Sequence, residues 1–546
     1  MKRRKFLRNI SLAAASPIIL NGIPVTSMAN ALTRALKNSE GDRVLVLVQL
    51  AGGNDGLNTM IPIDQYDKYM EYRSNIAIPD TGNRKFINLD ESLGQTEQVG
   101  LHPDLLAAKS MYDEGKALFI QNVGYDNMNL SHFRGRDIWF MGGGSEDYYN
   151  SGWMGRYLES KYPGFPEEYP NDEMPDPLGL EFGFTQSLLY HRSEGIPAGI
   201  AITDPDTFHQ LVTGTGIDPP SYIPESYAGD ELKYLMEMEL KSNQYADRLK
   251  EVYENGSNSG SVTYPTTYPH PAPNQFKDNE LAWQLKIVAR LLSGGIKTRI
   301  FLVKIDGFDT HAEQVTGDDP TTGTHAALLY HVSEALKAFH DDLKALGIND
   351  RVISVTTSEF GRRVSSNASL GTDHGKAAPV LLLGEGLNAG LMGSVPDLNN
   401  LDNGNLVHQF DYRQIYTSLI MDWLGADHET VVSTKFEDFI DTRLDIIKSP
   451  FGINDNSVAN PGFRIVRIYP NPASGYVNLQ ISSEKRRQIR LIITNSAGIK
   501  TRDHLLNTVG AGSETFQISL SGLKPGFYSL TCISEGRKLT EKLLVR

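Results

Sequence analysis

Hydrophobic positions along the chain follow two regimes. Up to about residue 450, short apolar runs alternate with stretches of helical period; from Phe463 onward the period becomes two. The run Arg43-Val-Leu-Val-Leu-Val-Gln-Leu50 ends in the glycine-rich Ala51-Gly-Gly-Asn-Asp-Gly56. A short, β-branched apolar run closed by glycine predicts a strand buried on both faces. The same reading predicts strands at Ala117–Val123, Thr298–Ile305, Val352–Thr357 and Pro379–Leu383. Helical periodicity predicts helices at Pro103–Glu114, His132–Phe140, Glu231–Tyr253, Leu281–Leu292, His325–Ala345 and Tyr412–Leu424. Strands alternating with helices imply an α/β body, residues 40–450, with a parallel-type sheet covered by helices.

The last eighty residues read differently. Val477, Leu479 and Ile481 alternate with polar residues, as do Ile489, Leu491 and Ile493, and Phe516, Ile518 and Leu520. Turn residues at Asn495–Gly498, Lys524–Gly526 and Glu535-Gly536 separate these runs. That spacing predicts a small all-β sandwich of about seven strands over residues 463–546. Between 255 and 274 a Gly/Ser-rich then Pro-rich tract, interleaved with tyrosines, reads as a surface insertion.

Charge sharpens the division. The formal net charge is -14. Residues 1–29 add five positive charges, and the segment from Phe463 carries 13 basic against 5 acidic residues, which leaves about -27 on the body. Such a body repels nucleic acid and anionic membrane surfaces. No apolar stretch reaches the roughly 18 residues that a membrane-spanning helix needs. The single cysteine, Cys532, excludes an internal disulfide and a thiolate zinc site.

The first 29 residues read as a signal peptide. A basic start precedes an apolar run from Ile10 to Leu20, and Ser27-Met28-Ala29 supplies a small-residue cleavage site. Arg3-Arg4-Lys5-Phe6-Leu7-Arg8 resembles the twin-arginine export consensus; a general secretory signal that contains two arginines is the alternative.

Ligands of parallel sheets sit beyond the C-terminal strand ends. There the body carries Asn54-Asp55, Ser131-His132-Phe133, Asp309-Thr-His311, Ser358-Glu359-Phe360-Gly-Arg362-Arg363 and Asp373-His374-Gly375. Carboxylates and imidazoles along one edge suit a divalent metal with oxygen and nitrogen ligands, drawn from Asp55, Asp309, His311, Glu359, Asp373 and His374. Zinc, manganese, calcium and magnesium all remain open. Ser131 at a helix N-terminus is placed to act on an anionic ester, and Arg362 or Arg363 to hold its charge. Each residue also has a structural reading: Asp55 as a turn residue, Ser131 as an N-cap, His102 as a cap before a helix, Asp309 with His311 as a loop pair.

Together, Gly52-Gly-Asn-Asp-Gly-Leu-Asn58, Leu101-His-Pro103, Ser131-His-Phe133, Asp309-Thr-His311, Ser358-Glu-Phe-Gly-Arg362 and Asp373-His-Gly375 resemble the exported family catalogued as domain of unknown function 1501. That family is grouped with the alkaline phosphatase and sulfatase-like superfamily. The resemblance implies an alkaline phosphatase-like fold over roughly residues 42–430. It further implies Ser131 as nucleophile of a metal-dependent phosphate or sulfate ester hydrolase, with a small anionic ester as substrate. Phe360, where that superfamily places a metal ligand, departs from the pattern and leaves a non-catalytic surface or binding protein as the alternative. Ile468-Tyr-Pro-Asn-Pro472, Gly526-Phe-Tyr528 and Lys542–Arg546 resemble the sorting domain of type IX secretion in Bacteroidetes. That implies handling by the twin-arginine and type IX secretion machinery, and a mature protein secreted or held at the cell surface.

Overall fold

A computed structural model of the chain describes residues 42–214, 226, 244–317, 319–448 and 463–546, together with 19–20 and 23–24; short gaps interrupt the last segment at 484–485, 496–499, 510–511 and 535–536. Apart from 19–20 and 23–24, the expected signal peptide, with its export motif and cleavage site, lies outside the described residues, as does most of the helix expected from Glu231. The chain divides into two compact units, Met1–Lys448 and Ser449–Arg546. Among the described residues, no helix is long and apolar enough to cross a membrane.

The first unit is built on one large sheet. Its strands, in chain order, are β1 (Val44–Ala51), β2 (Ala117–Gly124), β3 (Gly179–Phe182), β4 (Ile200–Ile202) and β5 (Ile300–Asp306). Then come β6 (Val352–Thr357), a separate hairpin of β7 (Gly361–Ser366) and β8 (Thr372–Gly375), and β9 (Ala378–Leu383), β10 (Gly390–Met392) and β11 (Phe410–Asp411). The spatial order is β10-β2-β9-β6-β1-β5-β3-β4, with β11 also paired to β2. β1 runs parallel to β5 on one side and to β6 on the other, Leu45 facing Ile300 and Val44 facing Val352. β9 alone runs antiparallel to both of its neighbours, β6 and β2.

β1 shows why the sheet must be covered on both faces. Val44, Val46, Val48 and Leu50 belong to one core; Leu45 and Leu47 point into the other. Phe301 and Val303 of β5 share the first core, Ile300 and Leu302 the second. Successive side chains point to opposite faces, so an unbroken apolar run needs two apolar layers. The second core contains Ile138, Trp139 and Phe140 of helix α1 (His132–Met141), which stops at Gly142 in the left-handed conformation, φ 69°. Helices α2 (Glu280–Ser293) and α3 (Thr324–Ala345) cover the first core. Asn279 caps α2 by accepting from the Ala282 N–H. Helix α4 (Tyr412–Ser418) begins with a capping box between Asp411 and Gln414, then continues as a π-helical turn, Leu419–Trp423.

His102 does cap: its Nδ1 accepts from the Asp104 N–H at the start of Pro103–Leu105. The tract between 255 and 274 is a surface loop with about half of its residues exposed, yet it is anchored. Tyr264 and Tyr268 are buried, and their hydroxyls donate to Asp342 (3.0 Å) and Asp104 (2.9 Å). Carboxylates in two helical segments therefore anchor a sequence whose composition suggested freedom.

The second unit holds β12 (Phe463–Ser474), β13 (Tyr476–Ser483), β14 (Arg487–Asn495), β15 (Lys500–Val509), β16 (Gly512–Ser519), β17 (Gly526–Ser534) and β18 (Arg537–Val545). Antiparallel pairing joins β12, β13 and β16 in one group and β14, β15, β17 and β18 in another, and β12 meets β18 at Ala473 and Val545. Val477, Leu479, Ile481, Ile489, Leu491, Ile493, Leu530 and Cys532 fill one shared core.

Two outcomes follow from these cores. His340, buried on α3 with Nε2 3.0 Å from Ser354 Oγ, has its imidazole pushed down to about 3 by burial and by the Lys116 charge. It stays neutral in the fold but protonates near 6.5 once released. Its contribution to stability is complete above that value and declines by about 1.4 kcal/mol per pH unit as pH falls toward the folded value. The thermal midpoint should drop between pH 7 and pH 5, and His340→Gln should make that drop shallower; an unchanged slope would mean the imidazole is charged in the fold. Burial pushes the Cys532 thiol up to about 12, so the native protein should not react with a thiol reagent at pH 8. Cys532 labelling against denaturant should then report the unfolding of the second unit, and rapid labelling without denaturant would contradict the packing.

Candidate metal centre

Five segments meet at one edge of the large sheet. The loop after β1 brings Gly52–Asp55, that after β5 brings Asp309 and His311, and that after β6 brings Ser358–Phe360. The segment after β2 leads to Ser131 and His132 at the start of α1. Asp373 and His374 precede β9 on the hairpin strand β8, and because β9 is antiparallel, its beginning lies at the edge where the parallel strands end. The loops touch closely. Gly52 has φ 124°, and a Cβ there would overlap the backbone nitrogen of Asp309; one on Gly53, φ 88°, would strike the Phe360 ring.

Asp309 is the focus of the cluster. Its Oδ2 lies 3.3 Å from His132 Nε2, and its Oδ1 lies 3.3 Å from both His311 Nε2 and His374 Nε2. The two latter nitrogens are 2.8 Å apart. His132, Asp309 and His374 each offer a ligand atom within 4.8 Å of the other two. The opposite ring nitrogens are all engaged: His132 Nδ1 with Glu359 Oε1 (3.0 Å), His311 Nδ1 with Asp373 Oδ1 (3.2 Å), His374 Nδ1 with Leu130 O (2.8 Å). An acceptor at Nδ1 selects the tautomer that carries its proton there, and so aims an unprotonated Nε2 at the centre. His132 Nε2 is buried and makes no hydrogen bond. Lone pairs this close repel one another unless a cation or a proton lies between them. The donor set therefore fits a metal ion.

The charges around the cluster pull its members in different directions. The hydrogen bond to Glu359 raises the His132 imidazole, whereas burial lowers His374. Burial opposes ionisation of Asp309, but Arg362, with help from His132 and His311, holds its carboxyl below the usual range. The edge is open: the side chains of Asp309 and His311 are 47% and 45% exposed.

The six sequence-derived ligand candidates occupy three kinds of place. Asp309, His311 and His374 point their donor atoms at one another. Glu359 and Asp373 sit behind His132 and His311, and Glu359 Oε1 also accepts the Gly52 N–H at 2.8 Å. Asp55 is elsewhere. Its carboxylate is fully buried against Arg73, 2.6 Å away, and takes a further bond from Gln314 Nε2 (2.6 Å). Burial opposes its charge, yet Arg73, with His325 and Gln314, keeps it below the ordinary carboxylate range. Arg362 does not face outward to receive an anion. Its buried guanidinium donates to the carbonyls of Gly52, Gly53 (2.8 Å), Phe308 (2.9 Å) and Thr372 (3.0 Å) and to Asp309 Oδ1 (2.7 Å). Arg363 beside it is exposed. Ser131 is exposed at the N-cap of α1, and its side chain makes no capping bond. Phe360, which cannot ligate, packs against His132 and His374 with ring centroids 4.9 and 4.6 Å away.

Sequence reasoning passed over His132. The available signal was its position: an imidazole at the first turn of a helix that follows a buried strand, one residue after the serine to which the chemistry was assigned.

A family model described as a protein of unknown function (DUF1501) matches residues 247–439, and that of a secretion system C-terminal sorting domain matches residues 467–546. No curated protein matches the chain. Among solved structures, it is similar to a sulfatase from a Pseudoalteromonas species at 13% identity, over 89% of this chain and 86% of that one, with TM-score 0.32. A protein in the alkaline phosphatase superfamily from Vibrio parahaemolyticus is similar at 9% identity, over 100% and 92%, with TM-score 0.29. A lipoteichoic acid synthase from Listeria monocytogenes is similar at 12% identity, over 91% and 92%, also with TM-score 0.29. By the family matches, residues 247–439 are similar to the DUF1501 family and residues 467–546 to a secretion system C-terminal sorting domain.

Proposed function

We propose that the protein is an exported, metal-dependent hydrolase of phosphate or sulfate esters. The observation that carries this reading is the convergence of three imidazoles and one carboxylate at a solvent-open sheet edge, next to an uncommitted serine. A closed, buried centre would suit a purely structural ion; a half-exposed one leaves room for substrate. His132, His311, His374 and Asp309 would hold the ion, which when bound supplies positive charge against a developing oxyanion. Ser131 is the candidate nucleophile: its Oγ would bond to phosphorus or sulfur as the alcohol oxygen departs with a proton, and water would then release the acid and restore the hydroxyl. Asp55 and Arg362 lie outside that chemistry and hold the loops.

We place the protein at the cell surface or in the medium. The sorting domain at 467–546 supports this destination through the type IX machinery. Residues 1–29 would act as a removable twin-arginine signal peptide, as their composition suggests.

The commitment of Arg362 to four carbonyls favours a second reading. With that guanidinium withdrawn, an ester would rely on the ion and the exposed Arg363 for charge neutralisation. A non-catalytic surface protein, in which the ion shapes the loops for a partner, follows from the same geometry.

The test uses the mature protein, small chromogenic phosphate and sulfate esters, and exhaustive chelation. Hydrolysis of one ester class, lost on chelation and restored by added metal, is the expected result. Ser131→Ala should lower turnover by about a thousandfold or more while leaving metal content unchanged. Equal turnover in that variant would remove Ser131 from the reaction, and no turnover with a fully loaded centre would establish the second reading.

A further inference from the structure

We infer that the centre takes a single ion of the zinc class, ligated by His132, His374, Asp309 and His311, and that Glu359 and Asp373 act from behind the imidazoles rather than as ligands. This inference rests on the metal-binding part of the preceding reading and not on ester hydrolysis. By composition the candidate ligands are numerous enough for two ions; their placement provides for one. His132, Asp309 and His374 form a group whose donor atoms are all mutually close, and Asp309 and His374 are shared with His311, so the four side chains make one cluster. His311 joins from the exposed side, 2.8 Å from His374 Nε2 and 3.3 Å from Asp309 Oδ1.

One oxygen of each of the other two carboxylates is engaged in orientation, while Glu359 Oε2 is buried and makes no hydrogen bond. Glu359 Oε1 receives both the Gly52 N–H and His132 Nδ1, and Asp373 Oδ1 receives Asn367 Nδ2 (3.3 Å) as well as His311 Nδ1. A carboxylate behind an imidazole fixes its tautomer and raises its basicity, a task distinct from ligation. Two groups that border the cluster offer a second cation no ligand. The permanently charged Arg362 guanidinium sits 2.7 Å from Asp309 Oδ1. The Phe360 ring lies against His132 and His374 and offers no donor.

Ligand chemistry narrows the metal. Three nitrogens and one carboxylate suit zinc and its first-row neighbours, whereas calcium and magnesium demand oxygen-rich shells. Of the metals open at the sequence level, calcium and magnesium therefore drop out.

The experiment is metal titration of the mature protein, read by elemental analysis after dialysis, by competition with a chromogenic chelator, and by the visible spectrum of the cobalt-substituted form. The expected result is one equivalent of zinc, undisturbed by millimolar calcium or magnesium. His132→Ala and Asp309→Ala should hold less than about a tenth of an equivalent under the same chelator. Glu359→Gln and Asp373→Asn should keep one equivalent with affinity weakened by about 10- to 100-fold. Because removal of His132 could disturb α1, His132→Gln serves as a second variant, and far-ultraviolet circular dichroism reports the fold of each. Two equivalents, loss of the ion in Glu359→Gln with retention in both His132 variants, or preferential calcium binding would each overturn the assignment. None of these readouts uses ester turnover, so a protein that binds one zinc and hydrolyses nothing would sink the hydrolase reading and leave this one standing.

Discussion

The structure depends on a buried positive charge. Arg362 has lost its water, and desolvation of a guanidinium costs several kcal/mol unless its donors are satisfied. They are: four backbone carbonyls and one carboxylate converge on it from the loop after β1, the loop after β5 and the hairpin strand β8. The interaction is therefore obligatory in both directions. The loops close because the cation needs their carbonyls, and the cation can be buried only when all of them have closed. Arg73 repeats the device on the other side of the first loop, holding Asp55, the Asn58 side chain and the carbonyls of Arg363 and Val364. Two buried arginines thus set the positions of the loops after β1 and β5 and of the β7–β8 hairpin.

The imidazole cluster is built on that frame. Asp309 is fixed by Arg362, and Gly52, held through its carbonyl, offers its N–H to Glu359, which orients His132. Each histidine is thereby positioned through a neighbour rather than by rotamer preference alone. The exposed face of Asp309 and His311 is the side left without such support, and it is the side from which a ligand can approach.

Much of this was legible in the sequence, and the limits have physical causes. β1, β2, β5, β6 and β9 announced themselves because strands buried on both faces are unbroken apolar runs. The orientation of β9 was not legible: an apolar run reads the same in either direction. Yet that orientation explains why Asp373 and His374, which precede a strand, share an edge with residues that follow strands. β3, β4 and β10 were too short to leave a period. At the site, the rule that polar residues after strands converge drew attention to the right loops but could not separate ligands from orienting groups, since both are carboxylates and histidines. Asp55 looked like a ligand because its partner, Arg73, lies on a different element. The tract at 255–274 is the loop its composition indicates, but the burial of Tyr264 and Tyr268 was not legible, because their partners Asp342 and Asp104 lie far away in sequence.

The position of β1 has a kinetic consequence. It is the first strand of the large sheet to be synthesised and sits near the middle of it, yet its partners are residues 300–306 and 352–357. Some 250 residues must leave the ribosome before either edge of this apolar strand can be paired. Such non-local pairing slows folding and leaves an open, aggregation-prone edge in the meantime. The nascent body therefore needs shielding by a chaperone or by transient contacts, and a chain that stops short of β6 would keep one side of its central strand unpaired.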